Sequence, residues 1–477
     1  MSSAPVSTRP HVAVVGGGIA GLSTALDVLD ALPDAHVTVL EAGDRFGGKL
    51  RVEPVAGCVV DVGAESLLAT RPEAVDLALR VGVDPADVVS PATTSAAVWS
   101  RGALHALPRG TVMGVPTDPP SALGVLTASE VQRATAEVAW PGGAVAEDVS
   151  VGEYVSARMG RAVVDRLVEP LLGGVYAAHA DRLSLRATVP ALWERAVRGA
   201  SLLDPLPVRA DGARPPFAGL RGGVGRLPGE VVEALRARGA LLRTGAVVRG
   251  LERAGERWRL VVGSAADPVA VEADAVVLAV PPAPASRLLA ELAPAAARGL
   301  AEVETASMAV VTLAVRRDGL PDLPGSGFLV PPVEGRAIKA STFSSAKWEW
   351  VGQLSSDVVH LRASLGRARE EAVLQRDDAD LVTLAVAEVG EALGRPLPPV
   401  VDHHVQRWGG GLPQYAVGHV ERVAAIRAEV AHLPGVEVAG ATYDGVGVPA
   451  VIASAALAAR GVTDHLTTST ASPGGSR

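Results

Sequence analysis

Three glycines and one glutamate near the start of the chain have the spacing of a dinucleotide-binding site. Gly16, Gly18 and Gly21 form the pattern Gly-x-Gly-x-x-Gly, and Glu41 follows about 20 residues after the third glycine. In such a pattern the first glycine permits a tight turn, the second lets the backbone approach a pyrophosphate, and the third lets a helix pack closely on a strand. An acidic residue at this distance can bind ribose hydroxyls, while its charge disfavours a 2′-phosphate.

The residues around the glycines predict the elements that this chemistry requires. Residues 11–15 form a β-branched run, residues 22–32 are rich in alanine and leucine, and residues 37–40 are again strand-like. Together they predict a strand–helix–strand unit of about thirty residues, the size of a parallel crossover. The glycines then lie at the N-terminus of the helix, whose partial positive charge favours a phosphate group. This pattern alone does not separate FAD from NAD.

Composition excludes several other classes of protein. Hydrophobic residues make up 48% and charged residues 20% of the 477 residues, which is typical of a globular protein of two or three domains. The net charge of −8 and the lack of a lysine or arginine run argue against a nucleic-acid partner. The single cysteine, Cys58, excludes an internal disulfide and a cysteine-based metal site, and the ten histidines show no metal-ligand spacing, so no metal is expected.

The hydropathy pattern predicts no transmembrane helix. The longest uncharged runs are residues 12–26 and 445–459, and both are shorter than the ~18–20 residues that span a bilayer. Contact with a membrane surface stays open as an alternative. A single cysteine also fits a reducing compartment, so the expected location is the cytoplasm.

A second block of residues points to FAD rather than NAD. The block 44–49 reads Asp-Arg-Phe-Gly-Gly-Lys and follows Glu41 closely. It resembles the Arg-x-Gly-Gly element that the FAD-dependent amine oxidase superfamily carries after the ribose-binding acid. The resemblance implies that Arg45 lies near the pyrophosphate and that the glycine pair lets the backbone pass close to the cofactor.

Five further blocks narrow the resemblance. They read Asp-Val-Gly-Ala-Glu-Ser at 61–66, Gly-Gly-Val-Tyr-Ala at 173–177, Leu-Arg-Gly-Gly-Val-Gly-Arg-Leu at 220–227, Arg-Trp-x-x-x-Leu-Pro-Gln-Tyr at 407–415 and Tyr-Asp-Gly-Val-Gly-Val-Pro at 443–449. The set resembles the protoporphyrinogen/coproporphyrinogen oxidase family of haem biosynthesis over essentially the whole chain. The second and fifth blocks distinguish this family from other flavin amine oxidases and from carotenoid desaturases.

The order of strand-like and helical patterns, together with the resemblance, predicts an α/β fold in three parts. A Rossmann-type FAD-binding domain is built from the discontinuous segments 1–84, 217–298 and 405–477. A mixed-sheet substrate domain comprises residues 299–404. A helical insert at 85–216 admits the substrate or faces a membrane.

The family pattern, carried over residue by residue, implies a set of FAD contacts. In it the Val248 backbone lies on the adenine, and Trp408 and Ala441 lie beside the isoalloxazine. Val448 lies at a helix N-terminus that can stabilise negative charge on the reduced flavin, and the contact at Lys49 is through the backbone. Val248 and Val446 could instead be core residues, and Trp408 a hydrophobic anchor. The full set is Gly16, Gly17, Gly18, Ile19, Ala20, Gly21, Glu41, Ala42, Arg45, Gly48, Lys49, Gly63, Ala64, Glu65, Ser66, Val248, Trp408, Ala441, Val446, Gly447 and Val448.

The resemblance also implies a reaction. The family removes six hydrogens from a porphyrinogen in steps that pass a hydride to the flavin, and oxygen reoxidises the flavin to give hydrogen peroxide. FAD carries this chemistry, so no catalytic side chain is predicted, and no Ser/His/Asp triad is legible. No cysteine lies near the C-terminus, where covalently flavinylated amine oxidases carry one, so non-covalent FAD is expected.

Substrate contacts should combine aliphatic walls with cationic or hydroxyl groups that bind propionates. Arg71 is the first candidate and Tyr176 the second. A solvated surface position is the alternative for each charged candidate. The weaker candidates are Lys339, Arg101, His105 and Arg109.

Arginines within residues 85–216 favour coproporphyrinogen III, which has four carboxylates, over protoporphyrinogen IX, which has two. They are expected to form a basic rim, and they are Arg101, Arg109, Arg158, Arg161, Arg166, Arg182 and Arg186. The alternatives are a protoporphyrinogen IX oxidase, a flavin amine oxidase, a carotenoid desaturase and, last, a FAD-binding partner without turnover. Oxygen is the expected acceptor, and transfer of the product to a ferrochelatase is a further expectation.

Overall fold

Five parallel strands form a sheet whose carboxyl ends share one edge. In the computed structural model, which describes residues 9–206, 216–320 and 322–470, these strands come from widely separated parts of the chain. Every neighbouring pair is parallel, and the spatial order is Leu241–Arg243, His36–Leu40, His11–Val15, Ala275–Leu278 and Val436–Val438. This order confirms the α/β fold and the Rossmann-type sheet assembled from discontinuous segments.

Both faces of this parallel sheet are covered. Val12 and Val14 belong to one apolar core, whereas Ala13 and Val15 belong to another, as the period of two requires for a strand buried on both sides. The first face packs on the helices Ile19–Ala31, Leu227–Ala237 and Val448–Thr470. The second face packs on an antiparallel sheet and three helices, which are Val248–Ala254, Arg257–Gly263, Pro268–Ala273, Pro282–Leu289, Pro294–Ala301 and His419–Val430.

A second, mixed sheet has seven strands. One of its faces is apolar and packs on the helix Asp378–Ala392. All neighbouring strands are antiparallel except Gly327–Leu329 and Ala97–Ser100, which are parallel. The spatial order is Val400–Pro413, Thr305–Arg316, Val358–Leu365, Ile338–Thr342, Gly327–Leu329, Ala97–Ser100 and Ala103–Ala106.

Seven short helices between residues 128 and 196 surround an apolar core of their own. A capping box begins the first of them, because the Thr127 hydroxyl accepts from the Glu130 N–H (3.3 Å) and the Glu130 carboxylate accepts from the Thr127 N–H (2.7 Å). The core includes Tyr154, Leu167 and Leu172. The helices are Ala128–Thr135, Val151–Met159, Arg161–Val163, Val164–Val168, Glu169–Tyr176, Leu185–Thr188 and Pro190–Ala196.

Smaller elements complete the described chain. The helix Glu73–Arg80 packs on the long C-terminal helix. Short strands form three small sheets, with the members Val52–Val55 and Cys58–Asp61, then Leu67–Leu68, Phe217–Leu220 and Val88–Val89, then Thr111–Val112 and Val115–Pro116. Within the described ranges, no helix combines the length and the apolar character needed to cross a bilayer.

The strand pairings cut across two of the predicted boundaries. The strands Ala97–Ser100 and Ala103–Ala106 lie in the predicted helical insert but pair with the seven-stranded sheet, and Val400–Pro413 runs through the boundary between residues 404 and 405. Parts of the three predicted domains lie outside the described residues, namely residues 1–8, 207–215, 321 and 471–477. The division into three domains therefore stays a prediction.

A buried carboxylate joins the seven-stranded sheet to the N-terminal part of the chain. The oxygens of Glu65 lie 2.7 Å from Lys347 Nζ and 2.7 Å from Arg362 Nη1. Arg362 belongs to the strand Val358–Leu365. Burial opposes ionisation of Glu65, but the charges of Lys347 and Arg362 outweigh it and lower the pKa of the carboxyl to about 2. The ionised carboxylate is therefore the counter-charge that both cations share inside the protein.

Glu65→Gln keeps the size of the side chain and should lower the free energy of unfolding by about 3 kcal/mol, because it leaves two buried cations without their counter-charge. Since the folded pKa lies below the unfolded one, the ionic contribution is complete above about pH 5 and is lost as the pH falls towards 2. Chemical denaturation at pH 7 measures the loss. Glu233→Gln, at an exposed surface ion pair, is the control and should change stability by under about 0.5 kcal/mol. Equal midpoints for Glu65→Gln and wild type would contradict the assignment.

Candidate active site

A cavity of about 500 Å³ lies at the carboxyl ends of the parallel strands. This is the edge at which open parallel sheets bind their ligands. Its walls come from residues that follow the strands, from the glycine-rich turn and from the start of the last helix. The residues that contribute are 15, 16, 18–20, 40–42, 47–50, 64, 246–248, 279–282, 284, 287, 288, 410–413, 439–442, 446, 448 and 451.

The three glycines of the first turn differ in what surrounds them. Gly16 has φ +108°, and a Cβ there would lie 2.4 Å from Ala279 O, so neither the backbone nor the space admits a side chain. A Cβ at Gly21 would lie 1.9 Å from Gly16 O, which shows how closely the helix approaches the strand. A Cβ at Gly18 would have no protein atom within 4 Å. Gly18 lines the cavity, so its missing side chain leaves room for a ligand rather than for protein.

Glu41 ends the second strand and lines the cavity together with Ala42. Its Oε2 accepts from the Gly17 N–H at 2.6 Å, and its Oε1 accepts from the Gly43 N–H at 2.7 Å. Each carboxylate oxygen has a second lone pair. The carboxylate is thus oriented by the backbone and can still accept hydrogen bonds from ribose hydroxyls.

The loop after Glu41 packs on the glycine-rich turn. The Gly47 N–H donates to Gly17 O at 2.8 Å. Arg45 donates to Phe46 O (3.1 Å) and to Gly48 O (2.6 Å), so its guanidinium braces its own loop and is not part of the cavity wall. Lys49 does line the cavity, where the surrounding protein lowers the pKa of its ammonium by desolvation. Of the described residues, Lys49 and Arg287 are therefore the two cations in the cavity wall.

Thirteen of the predicted FAD contacts share this one cavity, and the others lie outside its wall. Glu65 and Ser66 both bind Lys347 (2.7 Å each), and Trp408 lies opposite Met308 in the seven-stranded sheet. The residues in the wall are Gly16, Gly18, Ile19, Ala20, Glu41, Ala42, Gly48, Lys49, Ala64, Val248, Ala441, Val446 and Val448. The residues outside it are Gly17, Gly21, Arg45, Gly63, Glu65, Ser66, Trp408 and Gly447.

Sequence reasoning missed two segments of the wall. The first segment follows the buried strand Ala275–Leu278 and runs from residue 279 to residue 288, with Pro284, Arg287 and Leu288 of the next helix also in the wall. The second segment, residues 410–413, closes the long strand Val400–Pro413. The first had a usable signal, because Pro281-Pro282 ends a strand that the parallel sheet would place beside the glycine turn. The second had a weaker one in the run Gly409-Gly410-Gly411, which permits close backbone approach.

Side chains from the helix His419–Val430 and from the segment just before it hold the loop that carries Ala441. The Tyr415 hydroxyl donates to Ala441 O, and His419 Nε2 lies 3.0 Å from Thr442 O. The rings of Tyr415 and His419 stack with centroids 4.0 Å apart. Burial lowers the pKa of His419 to about 4, so this ring is neutral near pH 7. Arg427 adds a two-pronged ion pair to Asp444, with Nη1–Oδ1 at 2.8 Å.

The three substrate candidates of the sequence lie in three different settings. Arg71 is half-exposed and its Nη2 lies 2.6 Å from Glu73 Oε1. Tyr176 is buried with its ring centroid 5.7 Å from that of Tyr415, and burial raises the pKa of its phenol to about 12. Lys339 is buried and donates to a backbone carbonyl. None of the three is in the wall of the large cavity.

The prediction that the arginines of residues 85–216 form a basic rim is wrong. Six of its seven arginines have a carboxylate partner, so their charges are balanced locally instead of facing the substrate. One of these pairs, Arg158 with Glu137, is buried at 2.5 Å. The other pairs are Arg101–Glu130, Arg161–Asp165, Arg166–Glu334, Arg182–Glu304 and Arg186–Glu421. His105 is likewise engaged, with Nε2 3.0 Å from Ser100 O.

Comparison with known proteins shows similarity to a family of flavin-containing enzymes. A family model for flavin containing amine oxidoreductases matches residues 19–463. Coproporphyrinogen III oxidase of Mycobacterium leprae is 38% identical over 94% of this chain and 98% of its own length, and that of Bacillus subtilis is 30% identical over 96% and 98%. A crystal structure of an Exiguobacterium protein, provisionally assigned as a protoporphyrinogen oxidase, has a TM-score of 0.84 at 31% identity and covers 97% of this chain and 100% of its own.

The chain therefore belongs to the flavin-containing amine oxidoreductase family, and it is an FAD-dependent oxidoreductase. The resemblance to porphyrinogen oxidases is also confirmed. The residues present fit FAD on structural grounds. Gly18 leaves space beside a helix N-terminus, which favours a pyrophosphate. Glu41 retains lone pairs for the ribose, and Lys49 places a positive charge in the cavity wall.

Gly18→Val should give a colourless protein that folds but lacks flavin, because the new side chain enters the cavity and meets no protein atom. The ratio of absorbance at 450 nm to that at 280 nm measures bound flavin. The melting temperature should fall to that of flavin-stripped wild type and no lower, since only the stabilisation by the bound ligand is lost.

Gly21→Ala should also lose flavin, but it should melt below stripped wild type because its Cβ overlaps Gly16 O. Gly229→Ala, whose Cβ would meet nothing within 4 Å, is the matched control and should remain fully yellow. Full flavin content in Gly18→Val would exclude the placement of the pyrophosphate beside Gly18.

Proposed function

We propose that this enzyme oxidises coproporphyrinogen III to coproporphyrin III, a step of haem biosynthesis, with oxygen as acceptor and hydrogen peroxide as the second product. The observation that carries the proposal is the full-length similarity to coproporphyrinogen III oxidases, including 38% identity to the Mycobacterium leprae protein. The positions that would hold FAD share one cavity in this chain. The proposed location is the cytoplasm, and the proposed recipient of the product is a ferrochelatase.

FAD, when bound, accepts a hydride from a carbon of the substrate. The residues of this chain would bind the cofactor and the substrate and orient them. Leu412, Pro413 and Val446 give the cavity an apolar wall, which suits a macrocycle and excludes water. Val448 begins the helix Val448–Thr470, so unpaired N–H groups of its first turn favour negative charge at that end of the cavity. No titratable side chain of the described residues is proposed as an acid or base.

Tyr176 is proposed to face the substrate as a neutral phenol. Its raised pKa keeps the hydroxyl protonated at physiological pH, and its backbone is fixed because Gln414 Nε2 donates to Tyr176 O at 2.8 Å. Gln414 also donates to Leu412 O (3.1 Å), and Leu412 lines the large cavity. Tyr176 is thereby tied to the wall of the cofactor cavity.

Protoporphyrinogen IX is the second candidate substrate. It is favoured by one observation, the local pairing of six insert arginines with carboxylates, which removes the basic rim expected for a tetra-anion. The likeness to cyclohexylamine oxidase of Brevibacterium oxydans, at 17% identity, shows the fold alone. The test is therefore a comparison of the two porphyrinogens.

Flavin should be released completely when the protein is denatured by heat or acid. Cys58 is the single cysteine of the chain, and its buried Sγ lies 3.8 Å from Leu354 O and outside the cavity wall. It is therefore unable to form a thioether with the flavin. Chromatography of the supernatant should identify FAD in amounts equal to the protein, and Cys58→Ala should stay yellow. Flavin retained on the precipitated protein would refute non-covalent binding.

Coproporphyrinogen III should be oxidised with a higher kcat/KM than protoporphyrinogen IX, and it should bleach the flavin under anaerobic conditions. Arg71 follows the strand Leu67–Leu68, and Leu68 lies 3.8 Å from the position of a Cβ on Gly447. Arg71→Ala should therefore raise KM for the tetra-anionic substrate roughly threefold, the modest effect of an exposed charge, with little change in kcat. Arg236→Ala, at an exposed ion pair, is the control. A preference for protoporphyrinogen IX would reject the proposed substrate.

A further inference from the structure

Two cations are buried side by side at the inner end of the seven-stranded sheet. Lys339 is 2% exposed and Arg367 is 5% exposed. Lys339 lies on the strand Ile338–Thr342, and Arg367 follows the adjacent strand Val358–Leu365 by two residues. Charged side chains are rarely buried to this extent unless a counter-charge accompanies them.

Both side chains bind backbone carbonyl groups. Lys339 Nζ donates to Gly366 O at 3.0 Å and lies 3.9 Å from Met308 Sδ. Arg367 Nη2 donates to Val330 O at 2.9 Å. Arg367 Nε is buried and has no hydrogen-bond partner among the described residues. Carbonyl groups orient the two cations but bring no net negative charge to them.

The contrast with the neighbouring cations makes this pair unusual. Arg362 and Lys347 share the buried carboxylate of Glu65. The carboxylate nearest to Arg367 is that of Glu370, which is half-exposed and 4.0 Å away. Glu169 and Glu388 act on Arg367 from farther away, and no described carboxylate forms an ion pair with Lys339. Burial and the charge of Arg367 lower the pKa of Lys339 to about 7. An added negative charge would therefore be strongly favoured at this place.

A chain of contacts connects the cation pair to the wall of the cofactor cavity. The Ala368 N–H donates to Ala177 O at 2.7 Å, and these two alanines pack with Leu412, which lines the cavity. Gly174 is exposed, and a Cβ there would lie 3.7 Å from the Leu329 side chain. Leu329 precedes the residue whose carbonyl binds Arg367.

Met308 is the movable group beside the pair. Its side chain touches Lys339 Nζ and is only partly buried. Methionine is unbranched and changes rotamer easily. A rotation of Met308 would therefore open the ammonium of Lys339 to a ligand without moving either strand.

We propose that Lys339 and Arg367 form a binding site for one carboxylate of the substrate, which on the proposed function is a propionate of the porphyrinogen. A carboxylate can accept from the ammonium with one oxygen and from the guanidinium with the other. The whole chain carries a net charge of −8 and repels a polyanion at long range, so recognition requires such a local positive site. Binding here holds the macrocycle against the Leu412 wall of the cofactor cavity.

The test is binding of coproporphyrin III to the flavin-loaded enzyme, followed by its Soret absorption, for wild type, Lys339→Met and Arg367→Met. Each variant should raise Kd about tenfold or more, the effect of losing one charge-assisted hydrogen bond. Coproporphyrin III tetramethyl ester, which has no carboxylate, should bind all three proteins equally. Lys339→Met should melt no lower than wild type, because an unpaired buried cation destabilises the fold. Lys339→Arg should keep Kd within about threefold of wild type.

The control is Arg369→Met, which removes an exposed arginine two residues away that pairs with Glu304, and it should bind coproporphyrin III normally. Unchanged Kd values in Lys339→Met and Arg367→Met, with wild type active, would overturn the carboxylate site and leave the proposed function intact. If the variants weakened binding of the ester as much as binding of coproporphyrin III, the carboxylate site would also be overturned. The two side chains would then affect the shape of the site and not its charge. A wild type that neither binds coproporphyrin III nor is bleached by either porphyrinogen would reject the proposed function itself.

Discussion

The cofactor site depends on the close approach of the helix Ile19–Ala31 to the strand His11–Val15. A Cβ at Gly21 would lie 1.9 Å from Gly16 O, so the helix can begin directly after the strand only where glycine occupies both positions. This approach points the helix N-terminus into the cavity. It also presents Gly17 O to the Gly47 N–H at 2.8 Å, which brings the second glycine-containing loop beside the first. If the helix moved away from the strand, several parts of the cavity wall would move with it.

Charge balance separates structural cations from cations that are free to bind a ligand. On the inner side of the seven-stranded sheet, the single carboxylate of Glu65 pairs with both Arg362 and Lys347 at 2.7 Å each. Lys339 lies on the same sheet and Arg367 follows its neighbouring strand, and the hydrogen bonds of both go to backbone carbonyl groups. The one carboxylate within 4.0 Å of this second pair among the described residues is that of half-exposed Glu370, so the pair is only partly compensated and its burial costs folding free energy. Such an arrangement is typical of a site whose counter-charge arrives with the ligand.

The arginines of residues 85–216 illustrate why residue type alone misjudges a binding surface. Arg186 binds Glu421, and Arg166 binds Glu334. Each carboxylate comes from a distant part of the chain and balances the charge of the arginine. The sequence alone does not show that these arginines have partners. The buried Lys339 is the opposite case, because it has no carboxylate partner among the described residues. A single lysine in a strand gives no sign of this in the sequence. Electrostatic roles therefore follow from the packing of separate segments.

Local sequence patterns determined much of the cofactor site. The spacing of Gly16, Gly18 and Gly21, with Glu41 ending the next strand, specifies a turn, a helix and a strand through contacts within about thirty residues, and the parallel sheet was confirmed. Tertiary structure alone decided which residues close the cavity from a distance, such as Gly410 and Leu412. It also decided which charges are balanced, because Glu65 and Arg362 are separated by 297 positions. Short-range geometry is encoded in residue spacing, whereas the pairing of distant side chains depends on how the two sheets pack.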